Sequence, residues 1–285
     1  MLVVLLFLLI LWPSHAPALQ STITEAEGYA CMGEDRSRRQ TEEAAMEDAK
    51  RRAIEFSSTY ITSETHVKDF EVEKDLVSAY ANATVKVLKE LEKGWYKNEN
   101  AGDCFRVKIK AEVIPDEKAM ERVSQRTDVA DDPSAPLNVR VWTNKREYSR
   151  GEKMSIYIKG NKPFYARVIY RDAAGSTVQI LPNPYRNENY FQGGVIYEIP
   201  SGNDRFDLEI SHPFGEENIT VYASTSPLGD IGLHSQGAVY SVTTKANDIG
   251  VQTRGIQLTG KSAGKGGHAS EFYENKAEIT TRPAE

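Results

Sequence analysis

Cysteine is scarce in this chain, with two, Cys31 and Cys104, in 285 residues. Neither belongs to a Cys-x-x-Cys or His-x-x-x-His spacing, which argues against a metal site, where such pairs supply adjacent ligands. Histidine is sparse at five. Beyond His15, the residues His66, His212, His234 and His268 are scattered and form no triad or metal pattern, so no catalytic or metal-binding residue is assigned. A basic excess is missing: 35 Lys and Arg face 41 Asp and Glu, for a net charge of −6. That balance argues against nucleic-acid binding, which needs a basic footprint. Met1 to Trp12 is apolar but too short for a bilayer span, which takes about 20 residues.

Pro13-Ser14-His15 follows that run, and Ala16-Pro17-Ala18 has the small-x-small pattern of a signal-peptidase site. Residues 1–18 are therefore expected to be a signal peptide, with no stable membrane span after its removal. The mature chain is expected in the periplasm or outside the cell. In an oxidising compartment the default state of Cys31 and Cys104 is a disulfide. Closing so long a loop stabilises by about 4 kcal/mol in the chain-entropy account.

The length suggests two domains. Ser37 to Tyr60 reads as a helix, with Thr41 as a cap and Ala45, Ala49, Ala53 and Phe56 recurring on one side. Tyr60–Val67, Thr84–Leu91 and Cys104–Val113 alternate like strands, and Val72–Asn82 suits a short second helix. A sheet with one wet face and one face under helices is an α+β two-layer unit, expected over residues 22–115. Residues 116–136 have the charge and proline content of a linker opened by a short helix.

From residue 137 short alternating runs recur: Asn138–Thr143, Lys153–Lys159, Phe164–Tyr170, Thr177–Leu181, Gly194–Ile199, Arg205–Ile210 and Asn218–Ser224. Seven runs without a helix between them predict an antiparallel β-sandwich over 137–285, its core at 137–226. Beyond it, Gly250–Leu258 and Glu271–Thr281 read as two further strands around Gly260–Gly267, an ordered C-terminal hairpin or a low-complexity tail.

Two resemblances accompany this reading. Glu25-Ala26-Glu27-Gly28-Tyr29-Ala30, the alanine-rich Glu43–Ile54 segment and Phe105–Val113 resemble the N-terminal domain of the flagellar T-ring protein and related small outer-membrane lipoproteins. That likeness implies an assembly module without catalytic residues. Tyr148-Ser149-Arg150-Gly151-Glu152, Leu181-Pro182-Asn183, Tyr197-Glu198-Ile199-Pro200 and His212-Pro213-Phe214-Gly215 resemble a bacterial envelope family catalogued as a domain of unknown function. It implies an immunoglobulin-like sandwich and no known catalytic group.

Gly255-Ile256-Gln257-Leu258-Thr259-Gly260-Lys261-Ser262 fits the P-loop expression, but that device needs a strand before the loop and a helix after it. Ala263-Gly264-Lys265-Gly266-Gly267 cannot start a helix, so neither nucleotide nor any other cofactor is expected. In the Pro182–Gly193 loop, Tyr185, Arg186, Tyr190 and Phe191 either grip a sugar or peptide or fold back as a plug over the sandwich edge. The expectation is a non-enzymatic envelope protein that acts by contact with a protein partner or by self-assembly. Glycan or peptidoglycan binding through the Tyr185–Phe191 loop is the alternative.

Overall fold

The structure, a computed structural model, describes residues 19–34, 36–65, 70–124, 131–237, 239–255 and 269–284. The expected signal peptide, His66, His268, the Gly260–Gly267 tip and all of the P-loop match except Gly255 lie outside them. The chain opens with β1 (Leu19–Cys31), followed by α1 (Arg38–Glu64), α2 (Phe70–Ala81), β2 (Thr84–Asn98), β3 (Gly102–Ile114) and α3 (Glu117–Ser124). Next come β4 (Val139–Thr143), β5 (Glu147–Ser149), β6 (Ile156–Gly160), β7 (Phe164–Arg171), β8 (Thr177–Leu181), β9 (Tyr190–Phe191), β10 (Tyr197–Ile199) and β11 (Glu216–Ser224). The series closes with β12 (Leu233–Gln236), β13 (Val239–Val242), α4 (Ala246–Thr253) and β14 (Ala269–Arg282).

Helix α1 forms because one stripe repeats every fourth residue: Thr41, Ala45, Ala49, Ala53, Ser57 and Ile61 are buried. Its cap is Ser37 rather than Thr41. The Ser37 hydroxyl accepts from the Gln40 amide at 3.3 Å, and the Ser37 amide donates to the Gln40 side chain at 2.9 Å, a reciprocal capping box. The strand expected from Tyr60 to Val67 is instead the last turns of α1 through Glu64, because Ile61 is the next rung of the stripe. Small residues let the helix lie directly on the sheet. A Cβ placed on Gly28 of β1 would stand 2.1 Å from the Ala45 carbonyl oxygen and 2.3 Å from the Ala49 amide nitrogen. Glycine at that crossing is a close-approach requirement.

The large sheet runs β12-β13-β8-β7-β11-β14-β1-β3-β2, with β5 parallel beside β14 and β9 beside β7. Its other ladders are antiparallel. A second sheet of three strands, β10-β6-β4, lies over it. The protein is thus α+β, mostly antiparallel sheet. The α-helical side of β1–β3–β2 carries the first core, with Val107, Ile109, Ala111 and Val113 under Ala45, Ala49, Leu76 and Tyr80. The second core lies between the sheets and includes Ile156, Ile158, Phe164, Val168, Phe191, Ile199 and Val221. A third, smaller cluster groups Ile249 of α4 with Ile23, Ile169, Tyr222, Leu228 and Phe272.

Three expectations are corrected by the structure. Where a hairpin strand is expected from Gly250, the chain is helical through Thr253, because Ile249 and Thr253, four apart, are both buried. The other arm, β14, is a strand, and its ladder partners are β1 and β11. Residues 116–136 are not an open linker over their described part. Ala119, Met120 and Val123 of α3 are buried in the first core, and the Asn161 side-chain amide donates to the carbonyls of Asp132, Ala135 and Pro136 at 2.8, 3.2 and 3.1 Å. The run Arg205–Ile210 contributes an isolated bridge, Lys153 to Glu209, rather than a strand.

The large sheet passes without a break across the expected domain boundary, since β1 pairs with β14 from Leu19↔Glu274 to Thr24↔Ala269. Two buried polar nodes tie the flanks. On one face the Glu271 carboxylate accepts from the Leu137 amide and from Lys162 Nζ at 2.9 Å. On the other, Arg254 lies 2.5 Å from Glu112 of β3 and 2.9 Å from Glu274 of β14. Cys31 and Cys104 face each other across β1 and β3 and form the expected disulfide.

Candidate functional site

The Pro182–Gly193 loop is held from within. Asn183 Oδ1 accepts from the amides of Tyr185 and Arg186, both at 2.8 Å, while its Nδ2 donates to the Ile180 carbonyl at 2.8 Å. Arg186 pairs with Asp204 at 2.9 Å, and its guanidinium lies 5.9 Å from the Phe191 ring centre. Pairing of β9 with β7 sets Phe191 opposite Phe164 and Tyr190 opposite Tyr165. Strand alternation therefore sends the two neighbours to opposite faces. Phe191 is buried in the second core, stacked on Phe164 and edge-on to Tyr197. Tyr190 leans on Tyr165, Tyr185 stacks on Phe206, and these two tyrosines remain half exposed. Of the four residues singled out in this loop, Arg186 and Phe191 are taken into the fold, and Tyr185 and Tyr190 face solvent.

A concave surface opens elsewhere, on the face of β1–β3–β2 opposite α1 and α2. Along β2 the register with β3 shifts between Val87 and Lys89 and again between Glu90 and Glu92. Such bulges bend and twist a strand. Gly94 then stands opposite Arg106, and nothing lies within 4 Å of where its Cβ would be. The result is a depression of about 810 Å³ lined by Tyr29, Leu91, Glu92, Gly94, Tyr96 and Arg106, among others. Tyr29 is its most constrained wall. Its hydroxyl donates to Glu27, its amide donates to Asp48 at 3.0 Å, and the Arg52 guanidinium lies 5.4 Å from its ring.

The hydrogen bond to Glu27, with burial second, raises the Tyr29 pKa and keeps the phenol a donor. Burial pushes the Asp48 carboxyl up, but the Tyr29 amide, Arg51 and Arg52 outweigh it and hold it below its ordinary value. Arg106 faces Glu92 at 3.7 Å within the depression, and beside it Lys108 pairs with Glu25 at 2.8 Å. A glycine three residues beyond the alternating Thr84–Leu91 run was the readable signal for this depression; the wall made by Tyr29 and Tyr96 depends on register.

A third feature lies on the outer face of the small sheet. Val139, Ile156, Ile158 and Ile199 point inward and are buried. The alternate positions form two outward rows. One row is Trp142–Tyr157–Glu198, and the other contains Arg140 and Lys159. The indole and phenol rings are nearly parallel, 17° apart with centres 5.7 Å from each other, and Tyr157 Oη donates to Glu198 Oε1 at 3.2 Å. Asp131 Oδ1 accepts from both Arg140 at 2.7 Å and Lys159 at 2.8 Å.

The turn that leads into the small sheet is built from Tyr148, Gly151 and Glu152. Tyr148 is buried and its hydroxyl donates to Asn144 Oδ1 at 2.6 Å. Gly151 sits at φ +83°, and Glu152 accepts from the Ser149 amide at 2.9 Å. This turn begins a stretch found in other proteins. Residues 147–227 match a family described as Domain of unknown function (DUF4384). The DUF4384 stretch runs from β5 through β11 and takes in the Tyr185–Phe191 loop, Tyr157 and Glu198, while β1–β3, Trp142 and β14 fall outside it. No curated protein matches the chain. Among the described residues, no helix is long and apolar enough to cross a membrane. Before Gly255 the chain is α4, whereas a phosphate-cradling P-loop follows a strand.

Proposed function

We propose that this is an exported, non-enzymatic envelope protein that works by contact with a protein partner, through the depression beside Gly94. The observation that carries the reading is the pairing of exposed Tyr29 and Tyr96 with Arg106 around a concave floor. Tyrosine and arginine dominate the energetics of protein contacts when they line a recess that an anchor side chain fills. Tyr29 is fixed beforehand by Glu27, Asp48 and Arg52, so little side-chain freedom is lost on docking. The resemblance of residues 22–115 to the flagellar T-ring domain agrees with an assembly role in the periplasm. In this reading the DUF4384 stretch, with β4 and β14, is an immunoglobulin-like sandwich that presents the assembly face.

A photo-crosslinking amino acid at position 96, in protein exported to the envelope, should yield one discrete protein adduct. Tyr29→Ala and Arg106→Ala should abolish it while leaving the fold intact. An adduct pattern unchanged by both substitutions, or no adduct, would sink the reading. A second reading, glycan binding through the Tyr185–Phe191 loop, rests on the half-exposed Tyr185 and Tyr190. Loss of glycan retention on replacing both with alanine would favour it.

A further inference from the structure

We propose that the outer face of the small sheet is a saccharide-binding platform, with the Trp142 indole as the stacking surface and a β-1,4-linked pyranose chain as its ligand. Trp142 stands on β4, the edge strand of that sheet, and keeps 36% of its surface exposed. An exposed tryptophan on a sheet face leaves a large apolar area in water. Its orientation is set by the near-parallel Tyr157 ring, and Tyr157 is itself anchored to Glu198. The stacking surface is therefore ordered before any ligand arrives, which removes much of the entropic cost of binding.

The polar surroundings match the rim of a sugar ring. In a β-1,4-linked pyranose chain the hydroxyls and linkages are equatorial, so each ring presents C–H groups on its faces and hydroxyls around its edge. The faces suit an indole. The edge hydroxyls suit Glu198, Arg140 and Lys159, which lie in the same two rows, and Asp131, which is held beside them by Arg140 and Lys159. These groups are already paired among themselves, as Arg140 and Lys159 share Asp131 and Tyr157 bonds Glu198. Each carboxylate has several acceptor positions, so a hydroxyl can join without breaking a pair. The row Trp142–Tyr157–Glu198 crosses three strands, about 10 Å at the usual strand spacing, room for two successive rings of an extended chain. The charges cancel locally, two cations against two carboxylates, which fits a neutral sugar better than a polyanion.

The test is calorimetric titration of the full mature chain with β-1,4-linked N-acetylglucosamine tetramer and with cellotetraose, using α-1,4-linked maltotetraose as the control. Saturable binding of at least one β-linked tetramer, and weaker binding of maltotetraose, are expected. Trp142→Ala should weaken binding by about tenfold or more, the scale on which losing an aromatic partner weakens the stacking of a nucleobase. Glu198→Gln, remote from the indole, should weaken it less. The double substitution Tyr185→Ala, Tyr190→Ala should leave it unchanged, which separates this face from the loop. No heat with either β-linked tetramer at millimolar concentration would overturn the proposal. So would unaltered affinity in a folded Trp142→Ala protein, equal binding of the α-linked chain, or a protein adduct from a photo-crosslinker at position 142.

Discussion

Replacing Arg254 by methionine should reveal whether the two flanks of the large sheet are one cooperative unit. Arg254 follows α4, yet its guanidinium lies against Glu112 of β3 at 2.5 Å and Glu274 of β14 at 2.9 Å, with the Phe272 ring centre 4.4 Å away. The side chains of Arg254 and Glu112 are only 6% and 2% exposed. Glu112 would keep a single neutral partner, the Ser21 hydroxyl at 2.7 Å. Removing one member of a buried pair and stranding the other costs about 3–5 kcal/mol. The greater exposure of Glu274, at 32%, places the expectation at the lower end. For a chain of this size each kcal/mol moves Tm by roughly 2–4 °C, so a drop on the order of 6–12 °C should appear in differential scanning calorimetry. Glu112→Gln added to Arg254→Met should recover part of the loss, because the stranded charge is gone. The wild-type and variant chains should each melt in one transition. A loss under about 1 kcal/mol, or two transitions of which only one moves, would refute the reasoning and restore two independent halves.

Other perturbations address the helix-sheet contact and a buried amine. Gly28→Ala should destabilise by roughly 1–3 kcal/mol or more, since the added methyl meets backbone atoms of Ala45 and Ala49 rather than a movable side chain; urea unfolding reads it, and a neutral result would mean α1 is free to lift. Lys110 is 6% exposed, opposite Glu25, and burial lowers its pKa from 10.5 to about 8, with Glu25 opposing the shift. Because the folded state releases this proton before the unfolded state does, the contribution to stability should be fully present above pH 10.5 and lost as pH falls through about 8, a change on the order of 3 kcal/mol. Lys110→Met should remove that slope between about pH 8 and 10.5, and a lysine side-chain NMR titration giving an ordinary pKa would contradict it.

Local periodicity carried the elements that local forces make. The strict alternation from Cys104 to Val113 became β3, and the four-residue spacing of Ala45, Ala49 and Ala53 became the buried stripe of α1. It misled where the two periods compete. Thr62 and Thr65 imitate a strand, but burial of Ile61 continues the helix to Glu64. Val251 and Thr253 alternate with polar neighbours, but Ile249 and Thr253 close a helical turn. Partner choice had no local signature at all. Nothing between residues 19 and 31 names β14 as its neighbour, and that choice joins the halves that composition alone divides at the charged segment after Pro115. The sites follow the same rule. Trp142 and Tyr157 are legible as outward positions between inward aliphatics, whereas their stacking and the wall made by Tyr29 and Tyr96 exist only once register is set.

The place of β14 between β1 and β11 also orders events in time. While the chain is being made, β1 emerges first and finds β3 after some seventy further residues, but its other edge from Leu19 to Thr24 stays open until residues 269–274 arrive. Pairing across such a span is slow, because the loop must close before any contact rewards it. An open edge meanwhile invites other strands. A stop codon ahead of Ala269 would therefore remove more than the last strand: it would leave β11 and β1 each with an unpaired flank and break the sheet at its centre. Quality control that samples the nascent chain has a long window in which the N-terminal strand is incomplete, and that window ends only when residues 269–274 are present.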